Sequence, residues 1–130
     1  AKSKASEVGP AAGTYVKLEQ AYISEAGVVL GNYKIIGYST PGQGNKTTNF
    51  DYTEPSTNQW SDNTVALSST ALDGWQANSL VKLNDCPIAS VWTVKVSAST
   101  TNAGEATFVA GLPTDGNCQP LTPSFTNIGK

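Results

Sequence analysis

The sequence contains no arginine, no histidine and no methionine. Losing histidine removes the commonest general base and the commonest metal ligand. Without arginine the fork that reads phosphates is missing, and eight lysines against ten acidic residues leave a net charge of −2. With no basic patch, nucleic acid is not an expected partner. Serine is abundant, yet none stands in G-x-S-x-G and there is no imidazole to activate one. Catalysis is therefore not expected, and no cofactor is called for. No stretch approaches the roughly 20 apolar residues that would span a bilayer.

Cysteine is nearly absent as well. Cys86 stands between Asp85 and Pro87, and Cys118 follows Gly116 and Asn117. No C-x-x-C and no histidine accompany them, so a metal site is a poor reading. A disulfide is the better one. It would close a loop of about 33 residues, add roughly 3–4 kcal/mol and imply an oxidising compartment. Two buried free thiols in a cytosolic domain are the alternative.

What the chain does have is one helical pattern, at its start. Over residues 1–27 the apolar side chains Ala5, Val8, Ala11, Ala12, Tyr15, Val16, Leu18, Tyr22 and Ile23 gather on one side of a wheel. Gly13, Thr14, Lys17, Gln20 and Ser24 gather on the other. The stripe is wider than the roughly 100° that one core contact needs. One flank (Ala11, Tyr15, Leu18, Tyr22) is expected to cover the body of the domain, and the other to be left for a partner. Gly9-Pro10 predicts a bend, because Pro10 cannot donate to the Ser6 carbonyl. Gly27 is the expected stop. Glu19, inside the stripe, either pairs with a neighbouring subunit or satisfies a donor within its own domain. Lys2 and Lys4 read as a solvated helix end.

The rest of the chain is rich in Ser, Thr, Asn and Gly. Residues 28–47 read as a connecting loop anchored by Tyr33, Ile35, Ile36 and Tyr38. Across residues 48–110 the period changes to two. Phe50 and Tyr52, Val65 and Leu67, Val81 and Leu83, Trp92 to Val96, and Phe108 mark apolar faces of strands. Glu54-Pro55-Ser56, Asp73-Gly74 and Thr101 to Gly104 mark turns, and the pair Val91 to Ser97 and Glu105 to Ala110 reads as an antiparallel hairpin. Residues 111–130, punctuated by Pro113, Pro120 and Pro123, read as an extended strap. The expected fold is α+β: a single domain of 130 residues with one long amphipathic helix on a four-stranded antiparallel sheet.

Trp60 and Trp75 both stand in turn contexts and suggest a stacking platform for a sugar. Asp62-Asn63, Asp73 and Asp115-Gly116-Asn117 supply oxygen ligands but do not follow the spaced calcium loop, so no metal ligand set is assigned. Asn45-Lys46-Thr47 matches the N-x-T acceptor, a match that chance explains.

The opening Ala-Lys-Ser-Lys-Ala-Ser-Glu-Val, the segment Lys17-Leu-Glu-Gln-Ala-Tyr-Ile-Ser-Glu-Ala-Gly27, and the ending Cys118-Gln-Pro-Leu-Thr-Pro-Ser-Phe-Thr-Asn-Ile-Gly129 together resemble the soluble domain of a type IV pilin. The resemblance implies that Cys86 and Cys118 are the disulfide bounding the C-terminal loop, residues 86–118. It also implies a self-associating filament subunit, anchored in the inner membrane of a Gram-negative cell by an apolar helix segment preceding Ala1. After assembly the subunit would lie in an extracellular pilus serving adhesion, twitching motility or DNA uptake. The face that packs in the filament would be Ala5, Val8, Ala12, Val16, Glu19 and Ile23. Two alternatives remain: a type II secretion pseudopilin, which would hold calcium, and a secreted carbohydrate-binding module.

Overall fold

The computed structural model describes residues 1–55 and 60–130. Two helical segments open it, α1 (Lys2–Ala5) and α2 (Val8–Ala26), separated by a turn at Ser6 and Glu7. The break falls one turn before Gly9-Pro10, not at it. Pro10 lacks the N–H that would bond the Ser6 carbonyl, and its ring crowds that carbonyl. Starting α2 at Val8 puts Pro10 in the first turn, where backbone N–H groups have no intrahelical partner anyway. Gly27, at φ 101°, ends the helix as expected, with its N–H on the Ile23 carbonyl.

The chain continues through β1 (Val29–Gly31), the one-turn helix α3 (Tyr33–Ile36), β2 (Phe50–Asp51), β3 (Thr64–Ala66), β4 (Leu72–Ser79), β5 (Val91–Ala98) and β6 (Ala106–Gly111). Two 3-10 turns follow, Gln119–Leu121 and Phe125–Asn127. The architecture is α+β, a long helix with a four-stranded antiparallel sheet in the order β2-β4-β5-β6. The β5–β6 hairpin expected from the sequence is its most regular part, with Val96 opposite Phe108 and Val94 opposite Ala110.

Strand alternation sorts the two faces of this sheet. Trp75, Ala77, Trp92, Val94, Val96, Phe108 and Ala110 point to the helix side and are buried. Thr93, Lys95 and Val109 lie on the opposite side, where Lys95 bonds Asp73 across the β4–β5 pair at 2.8 Å. Edge-to-face and tilted aromatic contacts link the core: Phe50 to Trp92 at 5.5 Å, Tyr52 to Trp75 at 5.8 Å and Trp75 to Phe125 at 6.2 Å.

Three strand expectations need correction. Asp73-Gly74 is not a turn but a bulge within β4, where the register shifts between Asp73 and Trp75. The Val65–Leu67 run does form a strand, β3, but it pairs with β1 in a separate two-stranded ribbon. Its partner lies in the segment read as irregular connection. The Val81 and Leu83 run forms no strand, and Leu83 instead closes a tight turn with Cys86.

The Gly74 bulge has a packing reason. A Cβ built there would land on the Tyr15 hydroxyl and lie 3.0 Å from Val96 Cγ2. Glycine lets α2 approach β4 with the Tyr15 ring buried between them. Replacing Gly74 by alanine should destabilise the domain by about 1–3 kcal/mol through overpacking. Gly13→Ala, which faces open space on the helix, should instead stabilise it by about 0.5–1 kcal/mol. Urea denaturation of both variants checks the contrast.

Candidate functional site

The helix surface is where the expected partner contact can be examined. Ala5, Val8, Ala12, Val16, Glu19 and Ile23 were expected on the partner-facing flank. All six are buried within their own domain. The stripe is wide because the domain covers it twice. The sheet takes one flank, through Tyr15 over Gly74 and Val96. The segment from β1 to Tyr38 takes the other: Tyr38 donates its hydroxyl to the Ala11 carbonyl at 3.0 Å. Gly31 lies so close to Tyr22, Ile35 and Ile36 that a Cβ there would meet all three. Leu18 and Tyr22, expected at the centre of the contact, are half-buried at its margin. The side left open carries Pro10, Thr14, Lys17, Gln20, Ala21, Ser24 and Glu25.

Glu19 follows the second of its two readings, satisfying donors inside the domain. Its carboxylate accepts the Gly31 N–H at 2.8 Å and the Tyr15 hydroxyl at 2.9 Å. Burial pushes its pKa up to about 7, against the opposing pull of those two hydrogen bonds, and Glu54 adds a further push upward. Glu54 itself accepts the Tyr33 N–H at 2.5 Å and is raised by burial. A third carboxylate, Glu7, takes the hydroxyls of Tyr52 at 2.7 Å and Thr47 at 2.8 Å. The loop before β2 is thereby tied to the start of α2.

The cysteines are paired. Cys86 and Cys118 form a disulfide with their Cα atoms 4.7 Å apart. It fastens the β4–β5 connection to the strap. Beyond it, Thr122 accepts the Trp92 indole N–H at 2.9 Å, Phe125 packs on Trp75, and Gly129 lies against Phe108. Residues 118–129 therefore form part of the core wall.

The tryptophans do not build a sugar platform. Trp75 is fully buried in β4 and its indole N–H meets the Tyr38 hydroxyl at 3.1 Å. Trp60 is half-buried against the core, and its N–H has no partner among the described residues. Ser56, Asn58 and Gln59, parts of the turn contexts read around Pro55 and Trp60, lie outside the described residues. The acidic groups are dispersed. Asp73 pairs with Lys95 and Asp115 accepts the Asn117 N–H. No group of three potential metal ligands occurs among the described residues.

The sequence does hold one S-x-x-K spacing, Ser79 and Lys82, at the end of β4. The Ser79 hydroxyl donates to the Pro87 carbonyl at 3.1 Å and accepts the Ser90 N–H, while Lys82 is exposed, so they form no dyad. A hollow of about 660 Å³ on the outer sheet face, lined by Ile88, Thr93, Lys95, Leu112 and Asp115 among others, holds no nucleophile–base pair either. Among the described residues, no helix is long and apolar enough to cross a membrane. No protein-family model, curated protein or solved structure matches the chain.

Reducing the disulfide, or replacing both cysteines by serine, should cost roughly 3–4 kcal/mol. The loss should come with freer hydrogen exchange in residues 118–129. Chemical denaturation with and without reductant measures the first, and an unchanged midpoint would show that the strap is held by packing alone.

Proposed function

We propose that this chain is the globular part of a type IV pilin, a structural subunit that assembles by helix packing into an extracellular filament. The observation that carries the reading is the combination of one long leading helix laid on a four-stranded antiparallel sheet with a disulfide that staples the strap to the β4–β5 connection. The resemblance of both ends of the sequence to pilins agrees with it. On this reading an apolar segment preceding Ala1 holds the subunit in the inner membrane before assembly and joins the filament core afterwards. A contact of this kind, between different patches on successive copies, propagates without closing and so generates a filament. Adhesion and twitching motility are the activities such a filament serves.

On this reading the subunit contact lies on the other side of α2, since Ala5, Val8, Ala12, Val16, Glu19 and Ile23 are buried within the domain. Thr14, Lys17, Ala21 and Ser24 are exposed there, at the i, i+3, i+7 and i+10 positions that share one face. The paired cysteines favour a pilin over a secretion pseudopilin that holds calcium.

Filaments sheared from producing cells should contain this chain, and mass spectrometry of its mature N-terminus should find an apolar run of about 20 or more residues before Ala1. A polar start would overturn the reading. Ala21→Asp, on the exposed face, should abolish filaments seen by electron microscopy. It should change the unfolding free energy of the domain by no more than about 0.5 kcal/mol. Filaments that persist in that variant would move the contact elsewhere.

A further inference from the structure

Glu19 is fully buried, and what it holds is not the helix it belongs to. Its Oε1 accepts the N–H of Gly31, twelve residues away, at the end of β1. Two residues further on, the N–H of Tyr33 is held by Glu54, which follows β2. Two carboxylates from different parts of the chain thus converge on the three-residue stretch Gly31–Asn32–Tyr33. The same stretch carries the ribbon with it, because Gly31 pairs with Thr64 in β3 and Asn32 bonds Asn63 through both backbone and side chain.

We propose that Glu19 is a proton-operated latch: protonated it stays buried and clasps the β1–α3 segment to α2, and ionised it is drawn toward water and lets that segment open. The groups facing it are Tyr15 from its own helix, Tyr33 from α3 and Glu54 from the segment after β2. None supplies a positive charge. The lysines that form ion pairs among the described residues, Lys46 and Lys95, pair with Asp51 and Asp73 instead. A carboxylate ionised in this place is compensated by two neutral donors and opposed by a second carboxylate. Protonation leaves its contacts in place. Oε1 still accepts from Gly31, and the bond between Oε2 and the Tyr15 hydroxyl reverses direction, since a hydroxyl both donates and accepts. What changes between the two states is the buried charge.

The direction of the effect follows from linkage. Closed, Glu19 keeps its proton up to about pH 7; exposed, it releases it near the ordinary 4.5. Below 4.5 both states hold the proton. As pH rises from there, the open state gains by releasing it, so the closed state loses its advantage until pH passes about 7. Acid tightens the latch and neutral pH loosens it. The device rests on the geometry of this domain and not on the filament reading.

Hydrogen exchange of the amides in Val29–Ile36, corrected for intrinsic rates, tests it on the intact chain. The opening constant should rise about forty-fold from pH 5 to pH 7 in the wild type, from a single proton released on opening. Glu19→Gln, which keeps the acceptor for Gly31 without a charge, should flatten that rise, while Glu54→Gln should leave most of it. A rise of equal size in Glu19→Gln, or none in the wild type, would overturn the proposal. Should Glu19→Gln fail to fold, carbon-13 titration of the wild-type Glu19 carboxyl decides the matter. A midpoint near 7 supports the latch and a midpoint in the ordinary carboxylate range sinks it.

Discussion

Helix α2 carries more apolar surface than one sheet can cover, and the arrangement of the other elements follows from that excess. The four-stranded sheet takes one flank, with Gly74 making room for the Tyr15 ring. The other flank would be left wet, at about 25 cal/mol for each Å² of apolar surface exposed, if nothing crossed it. The segment from β1 to Tyr38 is drawn across α2 to cover it. A polar backbone brought into that position needs partners. The Glu19 carboxylate on Gly31 and the Glu54 carboxylate on Tyr33 supply them, while the Tyr38 hydroxyl pins the segment to the Ala11 carbonyl of α2. The buried acid is thus a product of the same constraint: a loop laid over a helix exposes N–H groups, and an acceptor from the helix meets one of them.

This double coverage also explains what the sequence disclosed and what it concealed. The 3.6-residue period of the stripe and the Gly27 stop were plain, as was the β5–β6 hairpin around Thr101 to Gly104. The width of the stripe was visible too, but a wheel does not distinguish a flank covered by a partner from one covered by the rest of the chain. Ala5, Val8, Ala12, Val16 and Ile23 were misplaced for that reason. Trp75 was misplaced for another. Asp-Gly is a strong turn signal in isolation, and what overrides it is the close approach of Tyr15 to Gly74, a contact 59 residues distant in the chain. Strand β3 showed in the alternation of Val65 and Leu67, but its partner β1 was hidden, because Val29–Gly31 carries too little alternation to show a period. The disulfide was legible from composition alone, since two cysteines without histidine leave few other uses.

Much of the buried polar inventory is spent on structure, although the Tyr33 hydroxyl has no partner among the described residues. The hydroxyls of Tyr15 and Tyr52 donate to Glu19 and Glu7, and that of Tyr38 donates to the Ala11 carbonyl while accepting the Trp75 indole N–H. The Ser79 and Ser90 hydroxyls both reach the Pro87 carbonyl beside the disulfide. These hydroxyls and buried carboxylates hold loops in place.

The strap has a temporal consequence. Trp92, Trp75 and Phe108 are enclosed on one side by Thr122, Phe125 and Gly129, which leave the ribosome after every strand of the sheet. Until those residues arrive, the helix and sheet form an unlidded core with large aromatic side chains facing water. Contacts between such distant parts of a chain are slow to form, and an exposed apolar cleft invites association meanwhile. The nascent domain therefore passes through a sticky interval that ends only when residues 118–129 fold back. Oxidation of Cys86 with Cys118 then makes that closure durable.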